Sequence, residues 1–99
     1  MEEGIFQDRV ALVTGAGSGI GRATAELLSR QGASIACADI NPEGLDQTVS
    51  NIQNAGGSAI SIECNVADSE AVDAMIQTCV DEFGKLNILA NVAGVLAIE

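Results

Sequence analysis

The segment Thr14-Gly15-Ala16-Gly17-Ser18-Gly19-Ile20-Gly21 constrains this chain more than any other. It separates two stretches with different hydrophobic periods. Before it, Val10-Ala11-Leu12-Val13 is a short apolar run that reads as a buried strand. After it, Ile20, Ala23, Thr24, Leu27 and Leu28 recur at helical spacing, which predicts that they share the inner face of a helix. The glycines are what such a junction needs. Gly15 permits a sharp turn out of the strand, Gly19 removes a side chain from the backbone, and Gly21 lets the helix press on the sheet.

The same alternation continues to the end of the chain. Gly32 is expected to end the first helix, and Ser34 to Ala38 reads as a second strand closed by Asp39. Asn41-Pro42 starts a second helix, with an N-cap side chain followed by proline at the first helical position. Leu45, Val49 and Ile52 form its inner stripe, and Gly56-Gly57 stop it. Ala59 to Ile62 reads as a third strand. Asp68 caps a third helix whose stripe is Val72, Met75, Ile76, Cys79, Val80 and Phe83, a spacing that belongs to core packing. Ile88 to Val92 reads as a fourth strand. The β-α-β-α-β-α-β order with short connections predicts one α/β domain over residues 1–99, with a parallel sheet and right-handed crossovers. The third helix is expected on the sheet face opposite the first two.

A glycine loop between strand and helix is a place for phosphate. The N–H groups at a helix start lack partners within the helix, and the helix dipole favours negative charge there. Ser18, Gly19, Ile20 and Gly21 therefore form the expected cradle for a dinucleotide pyrophosphate. The loop has no Gly-Lys-[Ser/Thr] ending, so nucleoside triphosphate hydrolysis fits poorly. Asp39, at the end of the second strand, stands where an acidic residue accepts from ribose 2′- and 3′-hydroxyls and repels a 2′-phosphate. With no Lys or Arg near it in sequence, NAD is the expected cofactor in preference to NADP. The bland alternative for Asp39 is a solvated turn aspartate. Arg22 is expected either to touch the pyrophosphate or to lie free on the helix surface.

These residues resemble the N-terminal part of the short-chain dehydrogenase/reductase family, and the resemblance runs along essentially the whole chain. Thr14, Gly15, Gly19 and Gly21 match the family's T-G-x-x-x-G-x-G loop. Asn65-Val66 stands where the family has an acidic-or-Asn plus Val pair, implying contact with the adenine ring. Asn91-Val92-Ala93-Gly94 stands where the family has N-N-A-G, with Val92 departing from it. The resemblance implies that Asn91 steadies the central sheet and that Ala93 and Gly94 approach the cofactor ribose. It implies a Rossmann-type doubly wound sheet of strand order 3-2-1-4, truncated after the fourth strand. It also implies hydride exchange between NAD and an alcohol or carbonyl compound.

In that family, proton transfer depends on a Tyr-x-x-x-Lys pair and a Ser beyond the fourth strand. This sequence has no Tyr and no His, and its single lysine, Lys85, precedes the fourth strand. No catalytic residue is assigned, and whether the chain by itself is an enzyme stays open. The expectation is a cofactor-binding portion of a longer oxidoreductase, or a truncated product of one. The alternatives are a non-catalytic nucleotide-binding module and an assembly partner of another dehydrogenase subunit. For the last, Ile88, Leu89, Ala90 and Val92 would present an apolar fourth-strand edge for a homo- or hetero-oligomer.

Charge narrows the partners. The formal net charge is −10, with Arg9, Arg22, Arg30 and Lys85 the only fixed cations. Such a chain repels nucleic acid and anionic membranes, so neither is an expected partner. Cys37, Cys64 and Cys79 form no C-x-x-C pair, and no metal site is expected; they read as reduced core thiols. The acidic start, Met1-Glu2-Glu3-Gly4, is unlike a secretory signal, and the expected location is the cytoplasm.

Overall fold

A computed structural model describes residues 4–92. The elements follow in the order β1 (Val10–Thr14), α1 (Gly19–Arg30), β2 (Ser34–Asp39), α2 (Pro42–Asn54), β3 (Ala59–Glu63), α3 (Ser69–Phe83) and β4 (Ile88–Asn91). The four strands form one sheet in the order β3-β2-β1-β4, and every pairing is parallel. This is the four-stranded, doubly wound arrangement of a Rossmann-type fold.

Alternation along the central strands explains why helices cover both faces. Ala11, Val13, Ile35 and Cys37 enter one core with Ala25 of α1 and Leu45 and Ile52 of α2. Val10, Leu12, Ala36 and Ala38 enter the other with Met75 and Cys79 of α3. Both faces of β1 and β2 are apolar because both are buried, as parallel strands require.

Local chemistry sets the helix ends. The Asn41 side chain accepts from the N–H groups of Glu43 and Gly44, with Pro42 in the first turn. The Asp68 side chain does the same for Glu70 and Ala71. Gly32 and Gly56 follow the ends of α1 and α2, as their positions in sequence suggested.

The inner face of α1 departs from the hydrophobic pattern. Gly21 and Ala25 are its buried residues, with Leu28 packed against the core. Ile20 is 73% exposed and Leu27 51% exposed, and Ala23 also faces outward. The reason is steric. A β-carbon on Gly21 would overlap the Gly15 carbonyl oxygen, so α1 lies on the sheet with its smallest residues inward. The larger apolar side chains are turned to the flank.

The β4 edge is less uniformly exposed than its sequence suggests. Ile88, Ala90 and Val92 pack partly against the α1/α2 core. Leu89, on the α3 side, is the residue left largely bare, at 55% exposed. Two asparagines secure β4 to β1. Asn87 Oδ1 accepts from Val10 N–H at 2.9 Å, and Thr14 Oγ1 donates to Asn91 Oδ1 at 2.8 Å.

Candidate functional site

Parallel strands deliver their C-terminal ends to one rim. Register places Thr14 opposite Ala38 and Asn91, and Asp39 opposite Glu63. The loop after β1, the end of β2 and the loop after β3 therefore meet there. They enclose a cleft of about 110 Å³ lined by Gly15, Asp39, Ile40, Cys64, Asn65 and Val66. Four residues singled out from sequence, Gly15, Asp39, Asn65 and Val66, are thus brought together across fifty positions of chain. Ile40 and Cys64 were missed. Ile40 carried a signal: an apolar residue between a strand-end acid and a helix cap, here 63% exposed at the cleft.

Two larger hollows, of about 450 and 320 Å³, lie at the opposite rim beside Asp8 and Ser34. Neither is lined by any of the site residues read from the sequence.

The turn into α1 is shaped by its glycines. Gly15 has φ +69°, a left-handed conformation that a side chain disfavours. Ser18 is the N-cap residue in extended geometry, and its hydroxyl makes no cap hydrogen bond. Ser18, Gly19 and Ile20 are all exposed, and the position of a β-carbon on Gly19 opens onto free space. The first-turn amides of α1 therefore border an open approach. A phosphate fits such a mouth.

Asp39 is half-buried and held at both oxygens. Gly17 N–H donates to Oδ2 at 2.8 Å, and Asn41 N–H donates to Oδ1 at 3.1 Å. It is a fixed acceptor rather than a freely solvated turn residue, with lone pairs remaining on both oxygens. Residue 17 is glycine for a reason: a β-carbon on it would lie 2.8 Å from Asp39 Oδ2. Asn65 Oδ1 accepts from Ala67 N–H at 3.0 Å, which sets the turn after β3; its side-chain NH₂ is a donor. Asn91 is joined to Thr14, as above; Ala93 and Gly94 lie outside the described residues.

Arg22 adopts neither expected placement. Its Nη2 donates to the Gly17 carbonyl at 2.6 Å and to the Gly44 carbonyl at 3.2 Å, and its Nε donates to Thr48 Oγ1 at 2.9 Å. It ties the glycine loop to α2. Thr48 is wholly buried, and sequence reasoning passed over it because it sits on the inner stripe of α2 as a polar residue.

The cysteines are free and buried. Burial, with a smaller contribution from Glu26, pushes the Cys37 thiol up to about 12. Burial, then the Asp68 carboxylate, raises Cys64, and burial raises Cys79. Thiols so shifted are poor nucleophiles at neutral pH. Among the described residues no group of three or more His, Cys, Asp or Glu could hold a metal ion, and no helix is long and apolar enough to cross a membrane.

The donor set suits a nicotinamide dinucleotide: open helix-start amides for the phosphates, a fixed carboxylate for ribose hydroxyls, and a small, mostly apolar cleft beside them. Comparison with known proteins agrees. The chain is 45% identical over 94 residues to the short-chain reductase protein NovJ of Streptomyces niveus, covering 95% of this chain and 36% of that protein. It is 44% identical over 91 residues to a cyclohexanol dehydrogenase of Acinetobacter sp. (strain SE19), covering 92% and 36%. The fold superposes on a 7α-hydroxysteroid dehydrogenase complexed with NADH and 7-oxo glycochenodeoxycholic acid with a TM-score of 0.84. That match has 32% identity and covers 85% of this chain and 33% of that one. The chain thus spans about a third of the length of the relatives it matches. The family model for short chain dehydrogenase matches residues 9–99. Sequence match, strand order and rim geometry agree, and this chain belongs to the short-chain dehydrogenase family.

Proposed function

We propose that this chain is the NAD-binding portion of an oxidoreductase acting on an alcohol or carbonyl substrate. One observation carries the cofactor choice: Asp39 is held by two backbone N–H groups at the rim where Gly15, Asn65 and Val66 also converge. A carboxylate fixed there accepts from ribose hydroxyls and opposes a 2′-phosphate. The α1 amides from Ser18 to Gly21 take the pyrophosphate, and the cleft between Ile40 and Val66 takes the adenine, with Asn65 at its polar edge. By the family resemblance, Asn91 would steady the central sheet, and Ala93 and Gly94 would contact the cofactor ribose. Bound NAD supplies the hydride acceptor for oxidation of a carbinol carbon. The substrate class follows from relatives whose names record alcohol substrates, such as cyclohexanol.

This sequence contains no Tyr and no His, so no residue of it is given the proton-transfer role. The chain as it stands is expected to bind without turnover, in the cytoplasm, where its three thiols stay reduced. Calorimetry with ADP-ribose and its 2′-phosphate tests the assignment. ADP-ribose is expected to bind at least about tenfold more tightly, a difference of ~1.4 kcal/mol, and Asp39→Asn should narrow that gap. No heat from either ligand at millimolar concentration would remove the nucleotide assignment. A second reading, assembly with another subunit, is favoured by the bare Leu89 on a strand that, among the described residues, pairs with β1 alone. A monomer on size-exclusion chromatography at high concentration would count against self-assembly.

A further inference from the structure

We infer that Arg22 and Thr48 are positioning residues for Asp39, acting through a directed chain of hydrogen bonds that crosses the Ala16–Gly17 peptide. This rests on the nucleotide assignment above and extends it to residues that do not line the cleft.

The chain runs in one direction. Arg22 Nε–H donates to Thr48 Oγ1 at 2.9 Å. The Thr48 hydroxyl has one proton and two acceptors in reach, Ala16 O at 2.7 Å and Gly44 O at 3.1 Å; the shorter bond is to Ala16. The Ala16 carbonyl belongs to the same peptide unit as the Gly17 N–H. That N–H donates to Asp39 Oδ2 at 2.8 Å. A guanidinium therefore stands at one end and a carboxylate at the other, with a hydroxyl and one peptide dipole between them. Each donor polarises the next in the same sense, so the links strengthen one another.

Three features keep the peptide from rotating out of this chain. Ala16 N–H donates to Ala38 O at 3.0 Å, fixing the loop to β2. Arg22 Nη2 holds the next carbonyl, that of Gly17, at 2.6 Å. Thr48 and Ala16 are wholly buried, and water does not compete for their bond. The acceptors of Arg22 here are a hydroxyl and two carbonyls, so its charge is directed into the backbone of the loop. The consequence is a carboxylate whose orientation toward the ribose is set from α1 and α2. Discrimination between unphosphorylated and 2′-phosphorylated ribose then depends on residues 22 and 48 as well as on residue 39.

The test uses Thr48→Val, which keeps shape and removes the hydroxyl, and Thr48→Ser, which restores it. Arg22→Gln and Arg22→Lys form the matching pair. Binding of ADP-ribose and of its 2′-phosphate is measured for each, beside the Gly17 amide proton shift in an ¹⁵N-labelled chain. Thr48→Val and Arg22→Gln should reduce the preference for ADP-ribose about tenfold and move the Gly17 amide upfield. Thr48→Ser should keep both close to the parent chain, and Arg22→Lys should fall between. If the parent prefers ADP-ribose and Thr48→Val and Arg22→Gln keep the same preference, the relay is overturned while the cofactor assignment stands. A parent chain that binds neither ligand removes both. Should the substitutions unfold the protein, amide exchange in the parent decides: Gly17 N–H exchanging as fast as an exposed loop amide would overturn the relay, and strong protection would support it.

Discussion

On the sheet face covered by α1 and α2, Ala11, Val13, Ile35 and Cys37 are wholly buried. On the other face Leu12 is wholly buried beneath α3, while its β4 neighbour Leu89 is 55% exposed. The difference follows, among the described residues, from two helices on the first face against one on the second. Gly21 and Ala25 let α1 sit close to the sheet, and α2 beside it closes the rest. The third helix covers the other face, where it packs over β1 and β2 with Ile60 and Ile62 of β3 alongside, and Leu89 of β4 stays exposed. The polar rim is anchored to the closed side, since Arg22 belongs to α1 and Thr48 to α2. The proposed nucleotide rim is thus built on the best-packed layer, while Leu89 of β4 and Ile20 and Leu27 on the flank of α1 stay exposed.

Closure of the first face has its most sensitive point at Gly21. Gly21→Val should be the largest single loss, about 3 kcal/mol or more, because the collision is with backbone and has no side chain to yield. Chemical denaturation measures it; a variant as stable as the parent would break the comparison at its base. Leu12 and Leu89 sharpen the contrast on the second face. Leu12→Ala should cost roughly 3 kcal/mol, and Leu89→Ala should stay within about 0.5 kcal/mol, read from the same denaturation curves. Equal effects would mean that β4 is covered as well as β1.

Alkaline titration probes the closed face more gently. The Cys37 thiol is raised from 9.0 to about 12 in the folded chain. The unfolded chain therefore loses that proton first. Stability from this group is complete below about pH 9 and falls as pH rises from there toward 12. Cys64 and Cys79 shift in the same direction and add to the decline. Cys37→Ala should make the loss between those pH values shallower in thermal melts, and an unchanged slope would show that Cys37 is not sealed from water. The smallest expected effect is Leu89→Lys: little change in stability, with any concentration-dependent association reduced on size-exclusion chromatography.

Much of this was legible in the sequence, for local reasons. Asn41-Pro42 and Asp68 carry their caps within three residues, so α2 and α3 begin where side-chain chemistry says they must. The parallel sheet followed from β-α alternation, and its order, 3-2-1-4, from the family resemblance. The inner face of α1 was legible only at Gly21, which the glycine motif already set against the sheet. Hydrophobic periodicity favoured Ile20, Ala23 and Leu27, whereas the sheet selects for small residues at close approach, and Gly21 gives no hydrophobic signal. Within the site, Asp39 could be placed because it ends a strand, and Asn65 and Val66 because they match the family's pair after the third strand. The Arg22–Thr48 link could not, because it joins residues 26 apart through an orientation that only packing of α1 on α2 decides.

The measurement closest to the central claim is titration of the ¹⁵N-labelled chain with ADP-ribose, following each backbone amide. The expected shifts cluster at Gly15 to Gly21, at Asp39 to Asn41 and at Cys64 to Val66, with Gly17 among the largest. Shifts confined to the opposite rim around Asp8, Arg9 and Ser34, or no shifts at saturating ligand, would contradict a nucleotide site at the C-terminal ends of these strands.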